Sequence, residues 1–335
     1  MANYEQTRQL MQSMVDDQVV PGYSAVIFDK KNEWAATAGV SRWRPTLAPL
    51  TAEMVYDLAS LTKVIGTVPL IAQLIQEGQV SLDQPVADFL PELGDQRPTI
   101  RNLFTHTSAI SGWIPHRNDL NCDQLTKAFL QDMSVGVNLN REIRYADINF
   151  IYLGWVAERI CGAPVQQLIT DRIIKPLGLT ATTFHPDPDQ AVPTEIQPQR
   201  GLIRGETHDP KGYILGEHCG CAGLFSTAQD LAHFGRHLIE DRLGGLLDQS
   251  MIDAMFVDQT PMPGEHLRSL GWQLYHDPHD RHYVIAHTGF TGTWIMLDRQ
   301  RDRGFVFLSN RVHPRAKNDE FLRRRGQVMA AFLNA

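Results

Sequence analysis

Strand patterns open and close this 335-residue chain, and helical patterns fill its middle. Near the start, PGYSAVIFDKKNEWAATAGV alternates apolar and polar residues around a polar tip at Asp29–Asn32, which predicts a β-hairpin. Near the end, SLGWQLY, HYVIAHTG, TWIMLDR and GFVFLSN follow one another with turn signals between them, which predicts an antiparallel meander. A chain of this plan has one economical solution. Strands from both ends share an antiparallel sheet, helices flank it, and a mostly helical domain is inserted between. The predicted class is α+β. Residues 1–80 and 185–335 form the sheet domain, residues 81–184 the helical one, and the active site lies in the cleft between them.

Individual helices show start and stop signals. Leu10, Met11, Met14 and Val15 recur at helical spacing, so residues 3–18 read as a helix. Residues 60–77 read as another, ending at Gly78, where a left-handed cap is expected. Pro69 inside it should kink the helix or remove one hydrogen bond. Residues 99–180 are mostly helical in pattern. Ile148, Ile151, Trp155, Val156 and Ile160 mark one apolar face there, and Gly162 ends that helix. Residues 185–215 read as long loops. Residues 227–240 return to a helix behind a cap at Ser226 or Thr227, and residues 318–333 close the chain as a helix.

Charge and composition remove several functions. Lys and Arg number 31 against 38 Asp and Glu, a net charge of −7. Nucleic-acid binders usually carry a basic surplus, so no such partner is expected. The longest apolar stretch, around Val64–Ile75, is interrupted by Gly, Thr, Pro and Gln and is too short to span a membrane. MANYEQTRQLMQSMVDDQ has no basic start followed by an apolar run. The setting predicted is therefore cytoplasmic, with Cys122, Cys161, Cys219 and Cys221 reduced. Cys219 and Cys221, two apart beside His218, lie closer than usual metal-ligand spacing and read as small loop-packing residues. HDPHDRH, residues 276–282, resembles a ligand cluster but reads as a solvated hairpin turn between two strands. Arg323, Arg324 and Arg325 read as the exposed face of the last helix. No G-x-S-x-G, H-E-x-x-H, G-x-x-x-x-G-K or G-x-G-x-x-G motif occurs.

One tetrapeptide points to chemistry. Ser60-Leu61-Thr62-Lys63 is the only S-x-x-K in the chain, placed where the strand-like YDLAS turns into a helix. Positions i and i+3 share a helix face with Cβ atoms roughly 5–6 Å apart, so Lys63 can reach the Ser60 hydroxyl. A serine needs such a neighbour to act as a nucleophile, and a helix start favours the negative charge of an alkoxide. Alone, the tetrapeptide reads as a cap beside a solvated lysine. Two further elements supply context. Tyr145-Ala146-Asp147 precedes the helix at Ile148. As a phenolate beside the Lys63 cation, Tyr145 could take the Ser60 proton, while Asp147 stands where an N-cap belongs. His287-Thr288-Gly289 ends the strand HYVIA. Gly289 would let backbone approach a ligand closely. On an edge strand, the Phe290 N–H would join the Ser60 N–H as an oxyanion donor. His287 and Thr288 could contact a substrate carboxylate or carbonyl, although His287 alone reads as a partly buried strand residue.

These three elements, in this order, resemble those of the serine β-lactamase and penicillin-binding-protein superfamily. The tyrosine element resembles the class C β-lactamase-like branch, with its DD-peptidases, D-amino-acid-specific peptidases and family VIII-type carboxylesterases. The similarity covers about residues 15 to 333. LASLTKVIGTVPLIAQLIQEGQVSLDQPVADFLPEL is similar to the nucleophile helix and following turn, and TIRNLFTHTSAISGW to the L-L-x-H-T-S-G-L signature. HDPKGYILGEHCGCAGLFSTAQDLAHFG resembles G-x-A-G-L-x-S-T-x-x-D-L, and HTGFTGTWIMLD the third motif and its strand. The resemblance implies a β-lactamase/transpeptidase-like fold. It implies that Ser60 is the acylated nucleophile, Lys63 its base partner and Tyr145 the second general base. Asp147 would match a substrate-contacting Asn, and His287 and Thr288 the Lys and Thr of K-T-G. Ser60 and Phe290 would form the oxyanion hole. No metal or cofactor is implied.

The departures from that pattern narrow the function. Asp147 replaces an amide and cannot donate a hydrogen bond to a substrate carbonyl. His287 replaces a fixed cation with a group mostly neutral at pH 7. Ala109 replaces the glycine of H-T-S-G, which should alter that turn. The expected function is a serine hydrolase acting through an acyl-enzyme on a small ester or amide, with β-lactam substrates disfavoured. The alternative is a penicillin-binding or sensor-like protein that acylates with little turnover.

Overall fold

The computed structural model describes residues 4–335. Helix α1 (Glu5–Asp16) falls within the expected 3–18, of which Asn3 lies outside the described residues. Strands β1 (Gly22–Asp29) and β2 (Glu33–Arg42) form the expected hairpin, and β3 (Ala48–Pro49) extends it. At its tip Asp29 Oδ1 accepts the N–H groups of Lys31 and Asn32. Strands β4 (Gln273–His276), β5 (Tyr283–Gly289), β6 (Thr293–Asp298) and β7 (Arg303–Ser309) form the meander. The two ends meet where β1 pairs antiparallel with β7, Tyr23 opposite Ser309. The order is β4-β5-β6-β7-β1-β2-β3, one antiparallel sheet from both chain ends.

Side chains alternate across the sheet, so each face has its own apolar set. Tyr23, Ala25, Ile27, Trp294 and Phe307 are covered by α1 and α10 (Asp319–Leu333). Val26, Phe28, Ile295 and Val306 pack on α8 (Ala228–Glu240), where Thr227 accepts the Asp230 N–H as the cap. The same cluster continues into α2 (Val68–Gln76), α5 (Ile148–Cys161) and α6 (Val165–Ile169). The remaining helices are α3 (Ile100–Thr105), α4 (Cys122–Gln131), α7 (Pro210–Leu215) and α9 (Gln249–Met255). Among the described residues no helix is long and apolar enough to cross a membrane.

The helix predicted over 60–77 begins at Leu61 and ends against Gly78, at φ +71°. From Lys63 to Thr67 it widens into a π turn, in which the Val68 N–H reaches Lys63 O. Pro69 follows. It has no N–H to offer the carbonyl four residues back and its ring crowds that carbonyl, so the helix opens there.

Three expectations need correction. Residues 106–121 and 132–147 are largely irregular rather than helical, with a ribbon of Ile110–Ser111 and Ser134–Val135. His106 and Ala109 hold φ of +58° and +51°, which no helix continues. Residues 185–215, expected as loops, include a ribbon of Ile196–Gln197 with Gly201–Leu202, and the whole of α7. The turn between β4 and β5 is not solvated throughout. Asp277 and Asp298 are fully buried, and Arg303 donates to both, at 3.2 and 2.9 Å. Arg301 adds a bond to Asp277, and His282 Nε2 lies 2.8 Å from Asp298. Buried carboxylates need partners, and here arginines are those partners.

Candidate active site

Ser60 lies in a tight turn between Tyr56–Asp57, which pairs with Phe225–Ser226, and the helix starting at Leu61. Asp57 Oδ1 accepts the Ala59 N–H at 2.8 Å, and Oδ2 the His208 N–H at 2.7 Å. Thr291 Oγ1 donates to Asp57 O at 2.7 Å, and Thr293 Oγ1 to Leu58 O at 3.1 Å. These bonds tie the turn to the β5–β6 connection. Ala59 holds φ +46°, a conformation that costs an L-residue roughly 1–2 kcal/mol and persists only where its surroundings fix it. No motif in the sequence marks Asp57, Thr291 or Thr293.

Lys63 is fully buried on the widened turn and uses all three of its donors. Nζ donates to Ser60 Oγ at 2.8 Å, to Asp147 Oδ1 at 2.8 Å and to Cys221 O at 3.1 Å. Burial opposes the charge, but Asp147 outweighs burial and holds the ammonium well above its ordinary range. Lys63 is thus a cation with no lone pair to accept a proton. In this state it donates to the Ser60 hydroxyl and orients it. The Cys221 carbonyl arrives through GEHCGCAG, which packs as small residues should. A Cβ on Gly220 would stand 2.6 Å from Phe150 O, so glycine lets the loop close on α5.

Asp147 has its second oxygen 3.1 Å from Lys211 Nζ, which also binds Asp209 at 2.9 Å. Burial raises the Asp147 carboxyl, yet the two lysines overcome this and hold it well below the carboxylate range. Asp147 does not cap α5. Its backbone is already helical, at φ −64° and ψ −28°, and the carboxylate turns to the lysines instead. Lys211 was not legible as a site residue. The only local signal was Asp209-Pro210, where Asp209 caps α7.

Tyr145 is 44% exposed. Its ring centre lies 5.2 Å from Lys63 Nζ and 4.5 Å from that of His106. The contact with Lys63 is therefore made by the ring face, and the hydroxyl has no hydrogen bond among the described residues. The segment before α5 hangs on His106. Its Nδ1 lies 2.9 Å from Asn149 Nδ2 and accepts the Ala146 N–H, and its carbonyl accepts the Arg144 N–H at 2.9 Å. Burial, then Arg268 and Lys63, push the His106 imidazole well below its ordinary range, as an accepting Nδ1 requires. Ala109, which stands in place of the glycine of H-T-S-G, holds a left-handed backbone, so the turn is strained.

His287, Thr288, Gly289 and Phe290 line the cleft with Ser60 and Tyr145. β5 is an interior strand, not the expected edge. However, β4 pairs with it only as far as Ala286, opposite Gln273, so from His287 onward one side is open. His287 is buried. Burial, then Lys63 and Arg268, push its imidazole well below the ordinary range. Gly289 permits a close approach, but of protein rather than ligand: a Cβ there would collide with Thr293 Oγ1 and Leu58 O. Glycine thus lets the Ser60 turn dock on β5. Phe290 stacks on His208, with ring centres 5.6 Å apart.

Two cavities meet at Ser60 and Tyr145. One, of about 270 Å³, extends toward His208, Asp209 and Cys221. The other, of about 420 Å³, follows β5 to Arg268, Arg311 and Arg325. Volumes of this order suit small molecules. Of the three arginines expected to be exposed on α10, Arg323 is exposed and pairs with Glu320, and Arg324 holds Asp17. Arg325 faces the cleft instead.

The chain matches the Beta-lactamase family model over residues 7–328. In sequence it is 27% identical to a protein of Escherichia coli (strain K12) named "Putative D-alanyl-D-alanine carboxypeptidase", over 93% of this chain and 83% of that one. In fold it is similar to a class C beta-lactamase, with a TM-score of 0.77 at 18% identity over 97% of this chain and 95% of that one. It is equally similar to EstCE1, a hydrolase with promiscuous acyltransferase activity, at a TM-score of 0.77 and 20% identity over 98% of each chain.

Proposed function

This chain belongs to the beta-lactamase family and is a serine hydrolase, and on that premise we propose that it cleaves a small ester or amide through an acyl-enzyme on Ser60. One observation carries the proposal: Lys63 Nζ donates to Ser60 Oγ at 2.8 Å, and Tyr145 lines the same cavities as Ser60. Ser60 Oγ attacks the substrate carbonyl carbon, and Tyr145 in its ionised form takes the Ser60 proton. The N–H groups of Ser60 and Phe290 receive the oxyanion. The acyl–O or acyl–N bond breaks, and the leaving alcohol or amine departs with the proton from Tyr145. Water then attacks the acyl ester, gives its proton to Tyr145, and frees the acid and Ser60.

Asp147 favours esters and simple amides over β-lactams. Both its oxygens are held by lysines, so it has no donor to offer a lactam side chain. A time course of intact-protein mass tests the reading, with a nitrophenyl ester in one arm and benzylpenicillin in the other. The expected result is turnover of the ester with a transient acyl adduct on Ser60, and no consumption of penicillin. A lasting penicillin adduct without turnover would instead identify a penicillin-binding or sensor-like protein. Undiminished ester turnover after Ser60→Ala would sink the assignment.

A further inference from the structure

Cys219 and Cys221 place two thiols side by side behind Ser60. Their sulfurs lie 3.5 Å apart, and both residues are buried. Cys221 also borders the cavity of about 270 Å³ that opens at Ser60 and Tyr145. The other two cysteines are half-buried and bind elsewhere. Cys122 Sγ donates to Leu215 O at 3.7 Å, and Cys161 Sγ accepts from Arg172 at 3.9 Å. Among the described residues, Cys219 and Cys221 are thus the two cysteines whose sulfurs touch.

Buried thiols are ordinarily inert, because burial disfavours the reactive thiolate. This pair is built otherwise. The Cys221 thiol, then the N–H groups of Cys221 and Ala222, turn to the Cys219 sulfur and hold its thiol below the ordinary range despite burial. The same contact pushes the Cys221 thiol well above that range. The proton therefore sits on Cys221, and Cys219 is the sulfur ready to receive it.

We propose that Cys219 and Cys221 form an oxidation site, closed to a disulfide by a hydroperoxide that enters the Ser60 cavity, and that closure slows turnover at Ser60. Cys221 Sγ attacks the hydroxyl oxygen of the hydroperoxide as its proton passes to Cys219. The O–O bond breaks, and an alkoxide or hydroxide leaves. The Cys219 sulfur then attacks the sulfenic sulfur of Cys221, the S–O bond breaks, and the hydroxyl departs with the Cys219 proton as water. The two sulfurs lose two electrons and the peroxide gains them. A disulfide is about 2.05 Å long, so closure pulls on the backbone of this loop. That backbone is tied to the Ser60 helix. Thr67 Oγ1 donates to Gly220 O at 2.6 Å, Lys63 Nζ to Cys221 O at 3.1 Å, and the Leu224 N–H to Thr62 Oγ1 at 3.1 Å. Gly220 is also held against α5, where a Cβ would stand 2.6 Å from Phe150 O. Of the two bonds to the Gly220 and Cys221 carbonyls, the longer one, from Lys63, is the one that yields. Lys63 is also the group that orients Ser60. The disulfide does not rest on Ser60 as the acylated group, whereas its effect on turnover does.

Peroxide treatment of the full chain, followed by unreduced peptide mapping and ester kinetics, tests the proposal. Trypsin releases residues 212–236 as one fragment, which holds Cys219 and Cys221 but neither Cys122 nor Cys161. After hydrogen peroxide this fragment should be about 2 Da lighter, the two hydrogens lost on disulfide formation. Ester kcat/KM should fall about tenfold or more, as expected for loss of a hydrogen bond to a charged group. Dithiothreitol should reverse both changes. Cys219→Ser should turn over ester as the parent does before peroxide and show neither change after it. Should that variant fail to fold, the chain carrying Cys122→Ser and Cys161→Ser keeps the pair and must still show both. Oxygen added to the fragment without a link, or no change in its mass, overturns the oxidation site. A link that leaves turnover unchanged overturns its effect on Ser60, as does an equal loss of turnover in Cys219→Ser. A chain that closes the link yet hydrolyses no ester when reduced keeps the oxidation site and loses the proposed function.

Discussion

Lys63 and Asp147 stand 84 positions apart in the chain and form an ion pair at 2.8 Å beneath Ser60. The lysine side chain is wholly buried, so its charge depends on that partner. Asp147→Ala should destabilise the fold by about 3 kcal/mol, the low end for stranding a buried charge. Adding Lys63→Met should recover part of this loss, because the stranded charge is then gone. Urea unfolding of the two single variants and the double variant measures the coupling. Strict additivity would show that the pair contributes nothing to stability.

Catalysis should fall with each of the three central groups while the fold persists. Ser60→Ala should abolish turnover. Tyr145→Phe should lower kcat/KM by at least roughly 100-fold, the range for loss of a positioned proton-transfer group, and Lys63→Ala by at least roughly 100-fold through the lost orientation of Ser60. Ester kinetics beside circular dichroism distinguish chemistry from unfolding.

Stability should decline on the acid side of neutrality. His106 and His287 are neutral when folded, their imidazoles held well below the ordinary value of 6.5 by burial and nearby cations. In the unfolded chain they protonate near 6.5. Below that pH the unfolded state binds more protons, so these residues favour folding fully above about 6.5 and progressively less as pH falls. Melting temperatures should hold from pH 8 to 7 and drop toward pH 5, and His287→Gln should flatten part of the drop. An unchanged slope in that variant would remove His287 from the account.

Two backbone positions should respond in opposite directions. Ala109 sits at φ +51°, so Ala109→Gly should stabilise the protein by about 0.5–1 kcal/mol, relief of left-handed strain less the added chain entropy. Gly289→Ala should destabilise by about 1–3 kcal/mol, the range for overpacking. It should also reduce activity, because the new methyl meets the Leu58 carbonyl under the Ser60 turn. Thermal melts and ester assays of both variants check the pair.

The sheet was legible because its strands and turns announce themselves locally. The hairpin around Asp29–Asn32, the meander, α8 and α10 all follow from apolar periodicity and caps. Ser60, Lys63 and Tyr145 were legible as candidates because they fall in short motifs. Lys211, Asp57 and Arg268 were not, since their surroundings come from segments distant in the chain. Arg325 had a usable signal that the run of three arginines obscured. It lies three residues after Leu322, on the same face of α10, and both side chains border the cleft. Asp147 misled in another way: its position fits a helix cap, but long-range charge took precedence over local capping.

The pairing of β1 with β7 sets a timetable. The hairpin emerges early in synthesis with one flank of β1 bare, and Tyr23 must wait for Ser309. Sequence-distant pairing of this kind is slow to form, and an unpaired strand edge is a hazard while it lasts. Thr291 and Thr293, which brace the Ser60 turn, also come late. A nascent chain that already contains Ser60, Lys63 and Tyr145 therefore lacks the bracing of the Ser60 turn until its last strands arrive.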